Sequence, residues 1–398
     1  MLAKKIKESY RKAVEEVSAC SEENLSEARQ RRRYLDFVRF SKERIIPLTK
    51  GDKPFYAEVH KDLGYFSDMA GETKQALTYL KRAEAAYRLL KDNTGLAETY
   101  CLFGDAYRSV PDLDLAVTFY KKSTRYRGKG EILQEARAYA YWGIGDVHRM
   151  RGDYKAAMSA LDKSNRIFTR IDSDDGIGGV LWDQGYVYIC RGEFEKAESI
   201  FLRILDLCDA GRLDESHRCT GEGALADTYR LQGKIDAKLF KLYRSASESM
   251  EAQEDLAARS WIFSTQALAH MQLNETGKAK TLLLEADAYN QKANDPICML
   301  WTYQAMGELH SMLGEYDKAR EIFLKHRNIA NRSKCKLELG HSYLGLAEVE
   351  RRSGANPRKN FIKAQEIYRQ IGSKWGVREC RLRMEAGASD KLPPLNFP

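Results

Sequence analysis

Eight small residues recur along this chain at nearly constant intervals: Gly64, Gly104, Gly145, Gly185, Ala226, Ala267, Gly307 and Ala347. The steps between them are 40 or 41 residues. A fixed period of that size constrains the fold more than composition can, because it requires one supersecondary unit copied many times. Other positions keep step. Three residues on stands a ring: Tyr107, His148, Tyr188, Tyr229, His270 and His310. Seven on stands a breaker: Gly71, Pro111, Gly152, Gly192, Gly233, Asn274, Gly314 and Gly354. Twelve on stands alanine: Ala76, Ala116, Ala157, Ala197, Ala279 and Ala319. Sixteen on stands a large apolar residue: Leu80, Tyr120, Leu161, Phe201, Leu242, Leu283 and Phe323.

Each marker has a physical reason. The breaker ends one helix, since glycine takes left-handed backbone angles without steric cost. The acid after it, as in Asp153, Glu193 and Glu315, suits the start of a second helix, where the dipole favours negative charge. Small residues on both helices let them approach closely, and the large apolar residue lies one turn beyond the alanine on the same face. Each unit is therefore a helical hairpin that cannot bury its apolar face alone, and stacking buries it. Two units depart from the pattern. The fifth has Lys238 in place of alanine, and the eighth carries Pro357 in its turn. Both predict a shifted or shortened second helix.

This constellation resembles the tetratricopeptide repeat. The small residue, the ring three on, the turns GDY, GEF and GEY, the alanine and the Phe or Leu are the matching features. The period of about 40 resembles the longer-helix variant of that family, seen in kinesin-light-chain-like proteins and bacterial regulators. The resemblance implies an all-α, right-handed α-solenoid of about eight helix-turn-helix units over residues 56–378. Residues 1–55 read as an N-terminal helical cap by their apolar spacing. Residues 379–398 form the C-terminal end, with a tail from about Ala386 expected to be flexible.

Composition narrows the function. No apolar run approaches the roughly 20 residues that span a bilayer, so no membrane partner is expected. The charged opening MLAKKIKESYRKAVEEV lacks the apolar core of a signal peptide, and the expected compartment is cytoplasmic. Cys20, Cys101, Cys190, Cys208, Cys219, Cys298, Cys335 and Cys380 stand singly, without zinc-site or disulfide-scaffold spacing, and read as reduced thiols. The formal charge of +8 is a mild bias. The basic run Arg29, Arg31, Arg32 and Arg33 reads as a solvated helix face. It comes with no nucleic-acid-binding module, so nucleic acid is not the expected partner. No nucleophile–base pair, phosphate loop or metal-ligand grouping stands out. The chain reads as a non-enzyme with no cofactor, and His148, His270 and His310 read as packing residues in a ring position.

The resemblance also implies which positions line the inner groove: six before, three before, one after and four after the small residue. Trp142 and Trp182 fall at three before, and Trp261 and Trp301 at six before. Asp105 with Arg108, Asp146 with Arg149, and Asp227 with Arg230 occupy one and four after, as i,i+3 neighbours on a helix face. Tyr139, Asp183, Tyr186, Gln304 and Glu308 complete the candidate lining. The carboxylate clamp of chaperone-binding relatives is missing, since Lys61 stands with Tyr65. The leading expectation is a scaffold or adaptor that binds a peptide or helical segment of a partner protein bearing basic and apolar side chains. Two alternatives stay open: a peptide-sensing regulator of a separate effector protein, and a nucleic-acid-binding accessory protein.

Overall fold

The computed structural model describes residues 2–19, 27–110, 112–252, 256–293, 298–387 and 390–398. Pro111 and Cys20 lie outside the described residues, as does the side chain of Cys298. Among the described residues the chain forms nineteen α-helices and no strand. It opens with α1 (Leu2–Ser18) and α2 (Glu27–Phe40), then a π-helical turn and a 3-10 turn across 41–49. Hairpins follow: α3 (Lys53–Met69) with α4 (Thr73–Leu90), α5 (Asn93–Ser109) with α6 (Leu113–Ser123), α7 (Glu131–Met150) with α8 (Tyr154–Arg170), and α9 (Asp174–Arg191) with α10 (Phe194–Asp209). The series continues with α11 (Glu215–Leu231) and α12 (Ala237–Ala252), α13 (Leu256–Gln272) and α14 (Thr276–Ala293), α15 (Cys298–Met312) and α16 (Tyr316–Arg332), and α17 (Lys336–Arg352) and α18 (Arg358–Ile371). Helix α19 (Lys374–Glu385) ends it. The chain divides into two compact units. Unit one comprises the chain up to Val147 with Ser159–Ile177 and 252–254, and unit two comprises His148–Met158, Gly178–Glu251 and the chain from 255 on.

The repeat markers do what their chemistry predicts. Gly71, Gly152, Gly192, Gly233, Gly314 and Gly354 all have φ between 73° and 78°, and Asn274 takes φ 59° at the equivalent turn. The alanines Ala76, Ala116, Ala157, Ala197, Ala279 and Ala319 are fully buried. The small residue faces the large one sixteen places on. A Cβ on Gly104 would lie 2.4 Å from the Tyr120 ring, and one on Gly185 would lie 2.5 Å from Phe201. Glycine is thus required there by close helix approach, not by backbone angle.

Caps complete the hairpins. Asp92 accepts hydrogen bonds from the Thr94 and Gly95 amides at the start of α5, and Asp214 from the His217 amide at the start of α11. The histidines in the ring position do more than pack. His270 Nδ1 lies 2.6 Å from Glu275 Oε2, and His310 Nδ1 lies 2.7 Å from Glu315 Oε2. They tie the end of one helix to the acid that opens the next. Hydrogen bonds from Lys278 and His270 hold the Glu275 carboxyl below its ordinary range.

The fifth and eighth hairpins show the expected shift. Their second helices begin four residues after the turn glycine, at Ala237 and Arg358, where Gly192 is followed after two residues by Phe194. In the fifth the packed side chains move by one place. Leu239 and Tyr243 are fully buried, whereas Lys238 is exposed and Leu242 only half-buried. The large apolar marker there is therefore Tyr243 rather than Leu242.

The N-terminal segment joins unit one by aromatic packing. Tyr10 on α1 and Phe37 on α2 are buried with Phe55 and Phe66 of α3, and the Phe37 and Phe66 rings meet edge to face at 4.8 Å. Tyr10 donates to Asp62 at 3.2 Å, and Arg11 grips Glu58 through two hydrogen bonds at 2.7 and 2.9 Å. The tail expected to be flexible is instead packed against unit two, with Leu395 and Phe397 each only 1% exposed. Two large apolar side chains in LPPLNFP find burial that a solvated tail would not give them.

Candidate functional site

In unit one, α5 and α7 present five of the predicted residues. Tyr139 and Trp142, one turn apart on α7, stack at 5.9 Å between ring centroids. Phe168 lies edge-on beneath both, 5.0 Å from Tyr139 and 6.5 Å from Trp142, so the pair stands on a rigid floor while remaining half-buried. The charged row beside it is wired differently from the i,i+3 expectation. Asp105 accepts from the Tyr120 hydroxyl at 2.6 Å, while Arg108 donates to Asp146 at 3.3 Å, on the first helix of the next repeat. Burial pushes the Asp105 carboxyl up, opposed by Arg108 and the tyrosine hydrogen bond.

In unit two the same wiring recurs. Arg149 Nε donates to Asp183 Oδ1 at 2.8 Å, joining α7 to α9. The guanidinium also lies over the Tyr186 ring, 5.7 Å from its centroid. Tyr186 stacks on Trp182 at 4.6 Å, then meets Trp261 at 6.4 Å, and Trp261 meets Trp301 at 6.3 Å. Three first helices, α9, α13 and α15, thus join their rings in one run. Trp182 and Trp301 are half-buried, whereas Trp261 and Tyr186 are buried. The middle of the run is support, and its ends are the surfaces a ligand can meet.

Farther along unit two the predicted residues lie under cover. Asp227 and Arg230 form the expected i,i+3 pair on α11, with Nε to Oδ1 at 2.8 Å and both side chains buried. Burial pushes the Asp227 carboxyl up against the pull of Arg230. Gln304 and Glu308 on α15 are also buried. Glu308 Oε1 accepts from Arg352 Nη2 at 2.8 Å and from the Leu395 amide at 3.0 Å. Sequence reasoning missed the residues that share this region: Gln272, Phe323, His341, Trp375 and Arg383. The fifth tryptophan, in GSKWGV, is the signal in the sequence that points to this region.

Behind this region lies a buried charge network. Glu348 is fully buried and receives Arg351 at 2.8 Å, Arg352 at 2.8 Å and Arg383 at 2.9 Å. One carboxylate thus organises three guanidiniums from α17 and α19. A second cluster joins α16 to α17: His326 Nδ1 lies 2.8 Å from Ser342 Oγ, and Nε2 lies 3.0 Å from Glu338 Oε2. His341 Nδ1 lies 3.4 Å from the same carboxylate oxygen. No group of three or more His, Cys, Asp or Glu side chains able to hold a metal ion occurs among the described residues. Nor, among them, is any helix long and apolar enough to cross a membrane.

A sequence model described as the tetratricopeptide repeat matches residues 97–129, the second hairpin. No curated protein matches the chain by sequence. Solved structures do match in fold. A Rap protein complexed with competence and sporulation factor superposes with a TM-score of 0.57 at 14% identity, covering 83% of this chain and 97% of that one. The apo form of RapI superposes at 0.58 and 12% identity, covering 70% and 98%. The Rap conjugation gene regulator of the plasmid pLS20, in complex with the Phr* peptide, superposes at 0.56 and 12% identity, covering 90% and 96%. At these identities the likeness establishes the helical-repeat fold, and the recognised repeat agrees with it.

Proposed function

We propose that this tetratricopeptide-repeat chain is a non-enzymatic adaptor that binds a peptide segment of a partner protein along its first helices. The observation that carries the reading is the ring run Trp182–Tyr186–Trp261–Trp301, which joins three first helices of unit two, α9, α13 and α15. Tryptophan, tyrosine and arginine are the side chains most enriched in binding hot spots, and here they are held in place by one another. The apolar half of the expected partner chemistry rests on these rings. The basic half has weaker support, because Asp183, Asp227 and Glu348 already bond to arginines of this chain. A partner contributing apolar and uncharged polar groups fits unit two better.

The second reading, a peptide-sensing regulator of a separate effector, is favoured by the fold shared with two Rap proteins, one solved with competence and sporulation factor and one with the Phr* peptide. Affinity capture tests the common core of both. The full chain is compared with Trp182→Ala/Trp301→Ala and with Trp142→Ala, each checked for retained helicity. Loss of specific partners in the tryptophan variants supports groove binding. Capture of every partner at unchanged affinity would remove it. Small-angle scattering with and without a captured peptide separates the two readings, since only a sensor must change shape.

A further inference from the structure

Segment 390–398 has no helix of its own, yet it is read by five successive first helices. Arg230 on α11 and Gln272 on α13 donate to the Asn396 side-chain carbonyl, and Asn396 Nδ2 donates back to the Arg230 carbonyl at 3.2 Å. Arg230 also donates to the Phe397 carbonyl at 2.7 Å. Glu308 on α15 accepts the Leu395 amide at 3.0 Å. Arg351 on α17 donates to the Asp390 carbonyl at 3.3 Å, and Arg383 on α19 to the Pro393 carbonyl at 2.8 Å. A segment met in turn by every first helix from α11 to α19 runs along the row those helices make. Two of the residues that meet it, Arg230 and Glu308, are among those expected from the sequence to line the groove.

The recognition is specific in its chemistry. Phe397 sits among Trp375 at 6.2 Å, His341 at 5.2 Å and Phe323 at 6.5 Å between ring centroids, and is almost fully buried. The Asn396 amide has partners for its oxygen and its nitrogen, which neither an acid nor a base could reproduce. Pro393 and Pro394 carry no amide hydrogen to satisfy and favour an extended backbone, so little freedom is lost on docking.

We propose that Leu392–Pro398 is a built-in occupant of the unit-two groove, and that a partner peptide competing for this groove carries the same chemistry: an extended, uncharged stretch with asparagine followed by a large ring. The proposal rests on the adaptor reading above and adds to it both the ligand class and a gate. The tethered segment raises the threshold for any external peptide, because a short tether holds it at an effective concentration on the order of millimolar.

The test uses the full chain and a fluorescent synthetic peptide with the sequence of residues 390–398. Affinity is measured by anisotropy for wild type, Phe397→Ala and Leu395→Asp. The expected result is binding at least tenfold tighter to both variants than to wild type. The same peptide with alanine at its asparagine and phenylalanine positions should bind the variants at least tenfold more weakly. Equal affinity for wild type and variants, no binding to either variant, or indifference to the Asn and Phe positions would overturn the proposal. Hydrogen exchange on unaltered wild type gives a readout free of folding defects: segment 392–398 should be protected, and exchange at the rate of an unstructured peptide would overturn it. The adaptor reading fails separately. If the tryptophan variants lose partners while the peptide shows no competition, only the built-in occupant is wrong. If the peptide competes while the tryptophan variants retain every partner, only the ring run is wrong.

Discussion

Arg149 Nε and Asp183 Oδ1 meet at 2.8 Å across two successive repeats, with 20% and 6% of their side chains exposed. An ion pair between first helices fixes their spacing, which a pair within one helix cannot do. The pair is mostly shielded from solvent, so it is worth more than a surface bridge. In a double-mutant cycle with Arg149→Ala and Asp183→Asn, the coupling should reach about 1–2 kcal/mol. The same cycle with Arg149→Ala and Asp146→Asn should give a smaller coupling, read from thermal or urea midpoints. A coupling to Asp146 as large as or larger than that to Asp183 would mean that the contact across repeats is not the dominant pairing.

The glycine–aromatic contact between paired helices makes a second, sharper prediction. A methyl on Gly185 would meet the fully buried Phe201 ring at 2.5 Å. Gly185→Ala should therefore destabilise by about 1–3 kcal/mol, despite the better helix propensity of alanine. Phe201→Leu added to it should recover part of the loss, although the same change alone is destabilising. Additive effects in the cycle would show that the contact is not the cause.

The hairpins were legible because their markers act locally. A turn glycine at φ 73–78° and an alanine under a neighbouring helix are dictated by residues within one period. The fifth hairpin shows the limit: Lys238 announced a disturbance, but its one-place shift to Leu239 and Tyr243 depends on where α12 starts. The candidate site was legible only in its residue types. The direction of Arg108 toward Asp146 depends on the distance between repeats, which no single-helix rule contains. The packing of Phe397 was hidden for a stronger reason. Its partners Phe323, His341 and Trp375 lie on three different helices, and a nine-residue segment has no period to betray where it docks.

The buried Glu338–His326–His341 cluster gives stability a defined pH dependence. Burial alone would raise the Glu338 carboxyl, but His341 and the hydrogen bond from His326 hold it down at about 2. Desolvation lowers His341, although Glu338 opposes the change. His341 therefore holds its proton less readily in the fold than in the unfolded chain, where an imidazole titrates near pH 6.5. The unfolded state then binds more protons, so stability falls as pH drops below about 6.5, by up to about 1.4 kcal/mol per pH unit for one such group. Glu338 adds its own loss below about pH 4.3, as the unfolded carboxyl protonates first. Urea midpoints from pH 8 to 5 should show the first slope, and His341→Gln should flatten it. A wild-type profile flat from pH 7 to 5 would contradict the assignment.

Buried thiols offer a check on the core that needs no substitution. Burial pushes Cys190 up to about 11 and Cys380 up to about 12, which leaves almost no thiolate at neutral pH. Neither should react with iodoacetamide in the native chain at pH 8 over hours, and both should react within minutes in denaturant. Mass spectrometry of the alkylated peptides separates the two sites. Fast native labelling of Cys380 would mean that α19 opens away from α18, and with it the support of Trp375.

Glu348 is where fold stability and the docked segment meet. Its carboxylate pairs with Arg351, Arg352 and Arg383, and two of these same arginines hold the backbone of the segment: Arg351 at the Asp390 carbonyl, 3.3 Å away, and Arg383 at that of Pro393. Glu348→Gln keeps the shape but leaves three buried guanidiniums short of a charge, so a loss of about 3–5 kcal/mol is expected. The effect should not stop at stability. Arginines freed from Glu348 are left with Glu308, Glu379 and Asp390, and their hold on the segment should loosen. Hydrogen exchange should therefore quicken at 392–398 in Glu348→Gln more than in Gly185→Ala, even when the two are compared at temperatures giving equal global stability. Exchange that follows global stability alone would separate the arginine cluster from the docking of the segment.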